Sequence, residues 1–569
     1  MKRYQTWGGI LTGLVLLVMA YLTVARLPPP RIQEFLQEHT VDLLHAHLVL
    51  ILCALLFQTQ RHHGLAFPSG WRCPAPLRWH LTVFLTGGIL LTATLAPQTH
   101  RIFYDEDIYQ GIAMNMAFEH RAQMCNDGVH EYGLFHCHRG EYNKQPNGYP
   151  FLIATVFRLT GINENATFFL NNVLLGVAMA VVFLIALHLF GNPWAGLFAA
   201  LITALTPQNL HWFNTAAAEP SSTVSAALVV LAGLHATRNK DEPALILLAG
   251  LTSFCLNIRP ENGLILIVLA AIFLGQWPQA FREPRFYLFV WLVALLALPV
   301  FMHALLVRNN PWGSDAAPFA LHHFMDNLKV NLSYYWDNRQ FPLLFTLLAM
   351  TGWHHRRRLG ELALLWLWFF LFFGIFLFFY AGRYDYGADI RFSLPSHLPL
   401  ALLAGIGAER LGHALARRLG HPPRLGYALV TLVLILSFIP FLPQVRAVTS
   451  EAWAARADHR FAREMARQIP DDALVLTHNP AMFHLWGKNA AQVSLALEDT
   501  EGTIPQPFLR AANHVYFHYN FWCNVDDPLQ SGFCTRLLQR YRHELVVEYQ
   551  ERNNRFALYR IFPREDGKP

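Results

Sequence analysis

The sequence predicts an α-helical protein that crosses a membrane many times and ends in a soluble α/β domain. Hydrophobic residues make up 54% of the 569-residue chain and charged residues only 14%, against roughly 25% charged in an average soluble domain. Mean hydropathy is +0.26. The formal net charge of +6 is no sign of a nucleic-acid partner, because the basic residues cluster at the ends of apolar runs. Lipid therefore solvates most of the chain.

The first apolar run extends from Trp7 to Ala25 and follows a basic start at Lys2 and Arg3. A secretory signal also begins in this way. The run is long enough to span a bilayer, and no small-x-small cleavage site follows it, which favours an uncleaved helix. Either interpretation leaves residue 30 outside the cytoplasm.

About thirteen apolar runs are candidate spans, although the shorter ones are ambiguous by length alone. The long runs lie near 7–25, 41–57, 80–97, 166–190, 214–236, 286–306, 361–380 and 424–440, and the short ones near 194–206, 243–258, 263–275, 341–352 and 394–408. The predicted division is an N-terminal membrane hairpin at 1–79, a membrane domain at 80–442 with an outer loop at 98–165, and a soluble domain at 443–569.

Basic residues orient these spans. With the N-terminus in the cytoplasm, the inside loops are richer in arginine and lysine than the outside loops, as the positive-inside rule requires. The strongest anchor is the run HHRRRLG at 354–360. This orientation places residues 98–165 and everything after about 441 on the outer face, which we interpret as the periplasmic side of a bacterial inner membrane.

Cysteine positions test that orientation independently, because disulfides persist outside the cytoplasm. Cys53 and Cys255 fall in spans, and Cys73 falls in a cytoplasmic loop. The outer segments hold two close pairs, Cys125 with Cys137 and Cys523 with Cys534, which we predict to be disulfides. For the first pair zinc is an alternative, since CNDGVHEYGLFHCH also offers His130, His136 and His138.

The segment after Pro443 has the composition of a soluble domain. Residues 451–469 carry apolar side chains at helical spacing, and four strand-like stretches follow: ALVLTH, HVYFHYNFW, ELVVEYQ and FALYRIF. No nucleophile or phosphate-binding motif is visible in this segment. A cap or scaffold is therefore a better interpretation than a second catalytic centre.

Ionisable residues at the ends of spans mark a candidate site, because charges at membrane depth are costly and usually functional. On the predicted topology they all face the outer leaflet. They are Asp105, Glu106 and Asp107; Glu219; Arg259 and Glu261; and Arg383, Asp385, Asp389 and Arg391. A carboxylate can take a proton from an acceptor, and guanidinium groups can hold a phosphate leaving group.

Structural roles for the same residues remain open at this stage. Arg383 and Arg391 could anchor helix ends at lipid headgroups. Glu219 could favour the start of its helix through the macrodipole. Asp385 and Asp389 could be ion-pair partners of the neighbouring arginines. The acid triplet is harder to explain structurally, because adjacent like charges repel one another.

The triplet opens a motif, and with it the sequence resembles the GT-C class of membrane glycosyltransferases. Within that class it is similar to the branch of protein O-mannosyltransferases and lipid A aminoarabinose transferases. The branch carries D-E-x-x-Y-x-x-I-A-x-x-M in its first large outer loop. The matching residues are Asp105, Glu106, Tyr109, Ile112, Ala113 and Met116. Two further elements look similar: Lys144, Pro146 and Tyr149 in NKQPNGYPFL, and R-x-S-L-P from Arg391 to Pro395.

The resemblance implies a set of roles. Asp105 would be the catalytic base that activates an acceptor hydroxyl for inverting attack on a polyprenyl-phosphate sugar. Glu106 would assist it, and Asp107 stands where the motif leaves the residue free. The remaining predicted site residues are Lys144, Arg259, Arg383 and Arg391 for the donor phosphate, and Tyr109, Tyr149, Glu219 and Glu261 for substrate contacts. No cofactor is firmly predicted, although the acids could hold a divalent metal.

The predicted partners are a polyprenyl-phosphate-linked sugar and membrane lipids. The acceptor is undetermined between protein, lipid A, another envelope polymer and a smaller lipid. Two other functions compete with glycosyl transfer. A transporter or flippase for a lipid-linked sugar would carry charges near the bilayer midplane, whereas these charges lie at one face. A non-catalytic envelope assembly protein could keep the same fold without activity.

Overall fold

We describe a computed structural model of the chain. It describes residues 2–61, 75–102, 104–308, 317–351, 359–385, 387–447, 453–497 and 514–562. The chain divides into two compact units. Unit 1 comprises Met1–Leu36, Asp42–Gln98 and Phe168–Val448, and unit 2 comprises Gln37–Val41, Thr99–Thr167 and Thr449–Pro569. Cys73 and the arginines at 356–358, which support the predicted orientation, lie outside the described residues.

Helices make up most of unit 1, and unit 2 combines helices with strands. In chain order the helices are α1 (Lys2–Val24), α2 (Pro29–Arg61), α3 (Ala75–Leu95), α4 (Asp105–Met114), α5 (Gly148–Thr160), α6 (Glu164–Phe190), α7 (Pro193–Leu205), α8 (Pro207–Trp212), α9 (Glu219–Asn239), α10 (Glu242–Leu256), α11 (Ile265–Gln276), α12 (Pro284–Leu296), α13 (Leu298–Val307), α14 (Phe324–Trp336), α15 (Leu343–Thr351), α16 (Leu359–Ile375), α17 (Leu394–Arg418), α18 (Pro423–Phe438), α19 (Leu442–Arg446), α20 (Trp453–Ala466), α21 (Pro480–Leu485) and α22 (Pro528–Arg540).

Proline and capping residues explain where several apolar runs become helices. α7, α9, α10, α12 and α18 each carry proline in the first turn, where the missing N–H costs nothing. The Asn192 side chain accepts from the N–H of Trp194 at 3.0 Å and caps α7, and Asp241 caps α10 through Ala244 at 3.0 Å. The run predicted at 214–236 therefore becomes a helix only from Glu219 onward.

Four helices within the described residues are long and apolar enough to cross a membrane, or five if the bent pair α12 and α13 is one span. The four that pass singly are Pro29–Gln58, α6, α9 and Pro423–Arg446. α12 and α13 meet at 41°, because Pro299 cannot continue the hydrogen-bond ladder. Shorter apolar helices occur among α1, α7, α10, α11 and α16. The chain is thus rich in apolar helices, and the number of spans stays a prediction.

α17 is the packing centre of unit 1 and contacts α7, α15, α16 and α18. Two of its glycines permit close helix approach. A Cβ on Gly405 would lie 2.5 Å from the Ala195 carbonyl oxygen of α7, and one on Gly407 would lie 2.0 Å from the Leu348 carbonyl oxygen of α15. Small residues at such crossings let helix backbones pack against each other in a lipid environment.

Unit 2 is built on a seven-stranded sheet with the order β2-β1-β4-β3-β5-β7-β6. The strands are β1 (Met124–Glu131), β2 (Leu134–Glu141), β3 (Leu474–Thr477), β4 (Asn489–Gln492), β5 (Val515–Tyr519), β6 (Arg542–Glu551) and β7 (Asn554–Phe562). β3 pairs in parallel with β4 and β5, and the other pairs are antiparallel.

Helices cover both faces of this sheet. Val475 packs with Phe461 and Met465 of α20 in one buried cluster. Its neighbours Leu474 and Leu476 pack with Leu537 of α22 in the other. The alternation follows from the two-residue side-chain period of a strand. A C-terminal sheet thus exists where the sequence predicted strands, and α20 lies in the predicted helical stretch.

The predicted domain boundaries and the observed units differ in one respect. The sequence interpretation assigned residues 98–165 to the membrane domain and began the soluble domain at 443. In the structure residues 99–167 cluster with 449–569, because β1 and β2 extend the C-terminal sheet through β4. The loop that carries the acid triplet is thus part of the same compact unit as the C-terminal segment.

Candidate active site

The three acids occupy the first turn of α4, where the positive end of the helix dipole favours negative charge. Tyr104 precedes them with φ 57°, a left-handed conformation that a bulky residue adopts only when its surroundings hold it there. Its buried hydroxyl donates to Asp458 of α20. Burial and the Asp458 carboxylate raise the pKa of the phenol well above its usual range, so this donor stays protonated.

The three carboxylates point to different partners. Oε1 of Glu106 accepts from the backbone N–H groups of Arg101 at 2.7 Å and Ile102 at 2.9 Å. Both oxygens of Asp107 lie within 2.9 Å of His459 Nε2, and Asn479 donates to Oδ2 at 2.6 Å. Glu106 is 0% exposed and Asp107 1%. Both acids therefore make buried hydrogen bonds that link segments of unit 2.

Asp105 is the one partly exposed acid of the three. Its Oδ1 accepts from the Gln145 side-chain amide at 3.3 Å, and the hydroxyl of Tyr109 donates to Gln145 Oε1 at 3.2 Å. The Tyr109 hydroxyl thus fixes which end of the amide faces Asp105. The carboxylate is oriented while still accessible, which is what a general base requires.

The neighbouring motif residues differ in burial and in the contacts they make. The rings of Tyr109 and Tyr149 are almost fully buried and meet edge to face at 5.5 Å. Tyr109 bonds Gln145 from this position, and the substrate contacts of the two tyrosines stay a prediction. Lys144 is half-buried. The residue that bonds Asp105 is Gln145, the one that stands between Lys144 and Pro146 in the motif.

A second cluster of unit 2 lies beside Glu106 and Asp107 and was not predicted. His100 Nδ1 is 3.2 Å from Glu106 Oε2, and His100 Nε2 is 2.7 Å from Glu164 Oε1. The rings of His100 and His459 stack with centroids 4.2 Å apart. Burial alone would lower the pKa of His100, but the carboxylates of Glu106 and Glu164 outweigh it and raise that pKa well above its usual value.

In unit 1 two arginines of the predicted site donate hydrogen bonds to the same acid of that site. Arg259 Nη1 donates to Glu219 Oε1 at 2.6 Å and Arg391 Nε to the same oxygen at 2.8 Å. Both guanidinium groups lie over the Phe392 ring, at 5.7 and 4.5 Å. Glu219 is buried, whereas the two arginine side chains keep 15% and 12% exposure.

Each of these arginines stands in, or directly before, a short 3₁₀ helix between apolar helices. Arg259 precedes Pro260–Leu264 and also donates to Glu261. Arg391 lies in Gly387–Ser393 and donates to Asp389 at 3.1 Å. Glu261 and Asp389 thus serve as partners that orient the guanidinium groups.

Arg383 has a different setting. It forms a two-pronged pair with Asp385, with Nε–Oδ1 3.0 Å and Nη2–Oδ2 2.8 Å. Both side chains of this pair are 46% exposed. Such an exposed pair fits the ion-pair alternative for Asp385 and contributes little to stability.

The structure contains the disulfides Cys125–Cys137 and Cys523–Cys534, with Cα–Cα separations of 5.7 and 5.6 Å. The first takes both thiolates that the alternative zinc site would need. Two of its candidate histidines have other partners, since His136 pairs with Glu119 at 3.1 Å and His130 Nε2 lies 3.0 Å from the His484 carbonyl oxygen. Cys53 and Cys255, outside these pairs, are free.

Known proteins resemble this chain in sequence over part of its length and in fold over most of it. Residues 144–303 match the family model described as Dolichyl-phosphate-mannose-protein mannosyltransferase. Comparison with curated proteins gives no match.

Two solved structures of ArnT from Cupriavidus metallidurans share the fold. The apo structure is 12% identical with a TM-score of 0.56 and covers 85% of this chain and 98% of its own. The structure bound to undecaprenyl phosphate is 12% identical with a TM-score of 0.55 and covers 87% and 100%. At this level of identity the likeness is one of fold.

Proposed function

We propose that this chain is a glycosyltransferase of the GT-C class and that it moves a sugar from a polyprenyl-phosphate donor to an acceptor hydroxyl at the outer face of a membrane. The observation that carries the proposal is the setting of Asp105. Of the three adjacent acids, it alone combines partial exposure with a contact that orients its carboxylate.

Asp105 is the general base in this proposal. Its carboxylate takes the proton of the acceptor hydroxyl while that oxygen attacks the anomeric carbon of the donor. The bond between the anomeric carbon and the phosphate oxygen breaks, and polyprenyl phosphate leaves with the bonding electrons. One base and one displacement give inversion at the anomeric carbon. Glu106, Asp107, Tyr109 and Gln145 act as positioning residues.

Arg259 and Arg391 bind the donor phosphate in the same proposal. Glu219 holds the two guanidinium groups side by side, and guanidinium is the cation best suited to phosphate oxygens. Their partial exposure on an aromatic ring favours a binding role over a purely structural one. Lys144 and Arg383 remain predicted phosphate contacts.

The lipid donor is supported from two directions. The similar ArnT structure is bound to undecaprenyl phosphate, and the matching family model names dolichyl-phosphate mannose. Both lipids are polyprenyl phosphates. We propose that class of lipid as the sugar carrier for this chain. The identity of the sugar is left open. The acceptor is left open between protein, lipid A, another envelope polymer and a smaller lipid.

The proposed topology follows the sequence prediction. About thirteen spans cross the inner membrane, and the shorter apolar helices count among them. Residues 98–165 and the C-terminal α/β domain then lie on the periplasmic side. A phosphate at headgroup depth on that side suits a membrane-embedded donor, since nucleotide sugars are confined to the cytoplasm.

The test is a release assay. Full-length protein in detergent receives a mixed polyprenyl-phosphate sugar extract with acceptor, and free polyprenyl phosphate is measured. We expect release by the wild type and a loss of about 10²–10⁴-fold in Asp105→Asn, the range for a missing general base.

A matched control is Asp526→Asn, which changes an exposed acid of the same unit. This variant should release polyprenyl phosphate at the wild-type rate. Equal rates for the wild type and Asp105→Asn would overturn the assignment of the base, and no release from any extract by folded wild type would overturn the proposed reaction.

A further inference from the structure

We propose that His100, His459 and Glu164 bind a divalent transition metal, with zinc the best fit. Three ligand atoms, one from each residue, lie within 4.8 Å of one another. They come from three separate segments of unit 2: the chain before α4, the start of α6 and the helix α20. Two imidazole nitrogens with one carboxylate oxygen form a common protein set for zinc that keeps a further position open.

The hydrogen bonds that these side chains already make indicate which of their atoms would bind the metal. Glu164 Oε2 is bonded to Arg463 Nη2 at 2.6 Å, which leaves Oε1 toward the histidines. Oε1 lies 2.7 Å from His100 Nε2 and 3.7 Å from His459 Nδ1. Ligands about 2.1 Å from a tetrahedral zinc stand about 3.4 Å apart, a value between these two distances. Small side-chain movements would therefore complete the site.

The other nitrogen of each histidine already meets a carboxylate. His100 Nδ1 faces Glu106 at 3.2 Å, and His459 Nε2 faces Asp107 at 2.8 Å. Histidines that bind metals almost always donate their second N–H to such a partner, which fixes the ring and its tautomer. The two buried acids of the triplet thus supply the outer partners of both metal-binding rings.

Charge favours a cation in the same place. Three buried carboxylates, those of Glu106, Asp107 and Glu164, surround the stacked ring pair, and Arg463 donates to one of them, Glu164. A divalent cation held by the two rings and Glu164 Oε1 would offset the negative charge of these carboxylates.

The bound metal would join α20, α6 and the segment before α4 at one point. Since Glu106 and Asp107 would then hold metal-bound rings, the first turn of α4 would be fixed through them. This role is one of positioning and does not depend on glycosyl transfer, so it can be measured without turnover.

The test is metal content and thermal stability of the full chain in detergent. The protein is stripped with a chelator, dialysed and supplied with Zn²⁺ alone, and bound metal is measured by mass spectrometry. We expect one zinc per chain and a higher Tm than in the stripped sample. His459→Ala and Glu164→Gln should lose the zinc and the rise in Tm, whereas His136→Gln, at an exposed histidine of the same unit, should keep both.

Cobalt gives a second readout that needs no variant. Co²⁺ added to the stripped wild type should produce the intense visible absorption of a four- or five-coordinate site, and equimolar Zn²⁺ should abolish it. Zinc content in the wild type no higher than in folded Glu164→Gln would overturn the proposal. Should both variants fail to fold, weak octahedral absorption by Co²⁺ in the wild type would overturn it as well.

Discussion

Glu106→Gln should destabilise unit 2 strongly, whereas Asp105→Asn should scarcely change its stability. Oε1 of Glu106 accepts two backbone N–H groups at 2.7 and 2.9 Å, and Oε2 faces His100 at 3.2 Å. Glutamine supplies one oxygen and one NH₂ group, so in either orientation a buried donor faces another donor. Breaking a buried ion pair on one side costs about 3–5 kcal/mol.

The assay is thermal unfolding of the full chain in detergent at one scan rate, followed by tryptophan fluorescence. A free energy of 3–5 kcal/mol corresponds to a fall in Tm of roughly 6–20 °C for a unit of this size. Asp105 is partly exposed and accepts a hydrogen bond from Gln145 at 3.3 Å, which asparagine can still accept, so we expect a change below about 1 kcal/mol. Equal Tm values for the two variants, or a larger loss in Asp105→Asn, would refute the division of roles among the three acids.

Three further changes have defined outcomes. Arg391→Ala should raise KM for the lipid donor about tenfold or more, because it removes a charged phosphate contact. The control Arg410→Ala, which loses a bond to the Thr351 carbonyl, should leave KM unchanged. Equal effects of the two substitutions on KM would argue against phosphate binding by Arg391. Burial lowers the pKa of His484 to about 3, so the unfolded chain takes up a proton first as the pH falls. Unit 2 should therefore lose about 1.6 kcal/mol of stability between pH 6.5 and 5. Urea titrations of His484→Gln should show a smaller loss, and an unchanged loss would contradict this cause. A membrane-impermeant maleimide should label Tyr132→Cys in intact cells but leave Cys73 unlabelled, and labelling of Cys73 would reverse the orientation.

The sequence located the candidate base because local order carried the information. The motif spacing around Asp105 lies within one short helix, and the segments that hold Arg259 and Arg391 stand between apolar runs. The helix at 453–466 and four strands after it, β3, β5, β6 and β7, were predictable from their side-chain periodicity. The close cysteine pairs needed only their spacing and the predicted side of the membrane.

Other features depend on contacts that local order does not encode. The Asp107–His459 contact joins residues 352 positions apart, so nothing near the triplet identified Asp107 as a structural acid. The hairpin of β1 and β2 was missed because its turn residues are Tyr132, with φ 51°, and Gly133, with φ 80°. This geometry usually selects Asn-Gly or Asp-Gly, and tyrosine at the first position gives no such signal.

The anomeric configuration of the product tests whether one acid of the triplet acts alone. A retaining transfer needs a second carboxylate as the nucleophile next to the first. Glu106 is bonded to backbone N–H groups and Asp107 to His459 and Asn479, so Asp105 has no such neighbour within the triplet. Nuclear magnetic resonance of the glycosylated product should show inversion relative to the donor; retention would contradict a single-base displacement by Asp105.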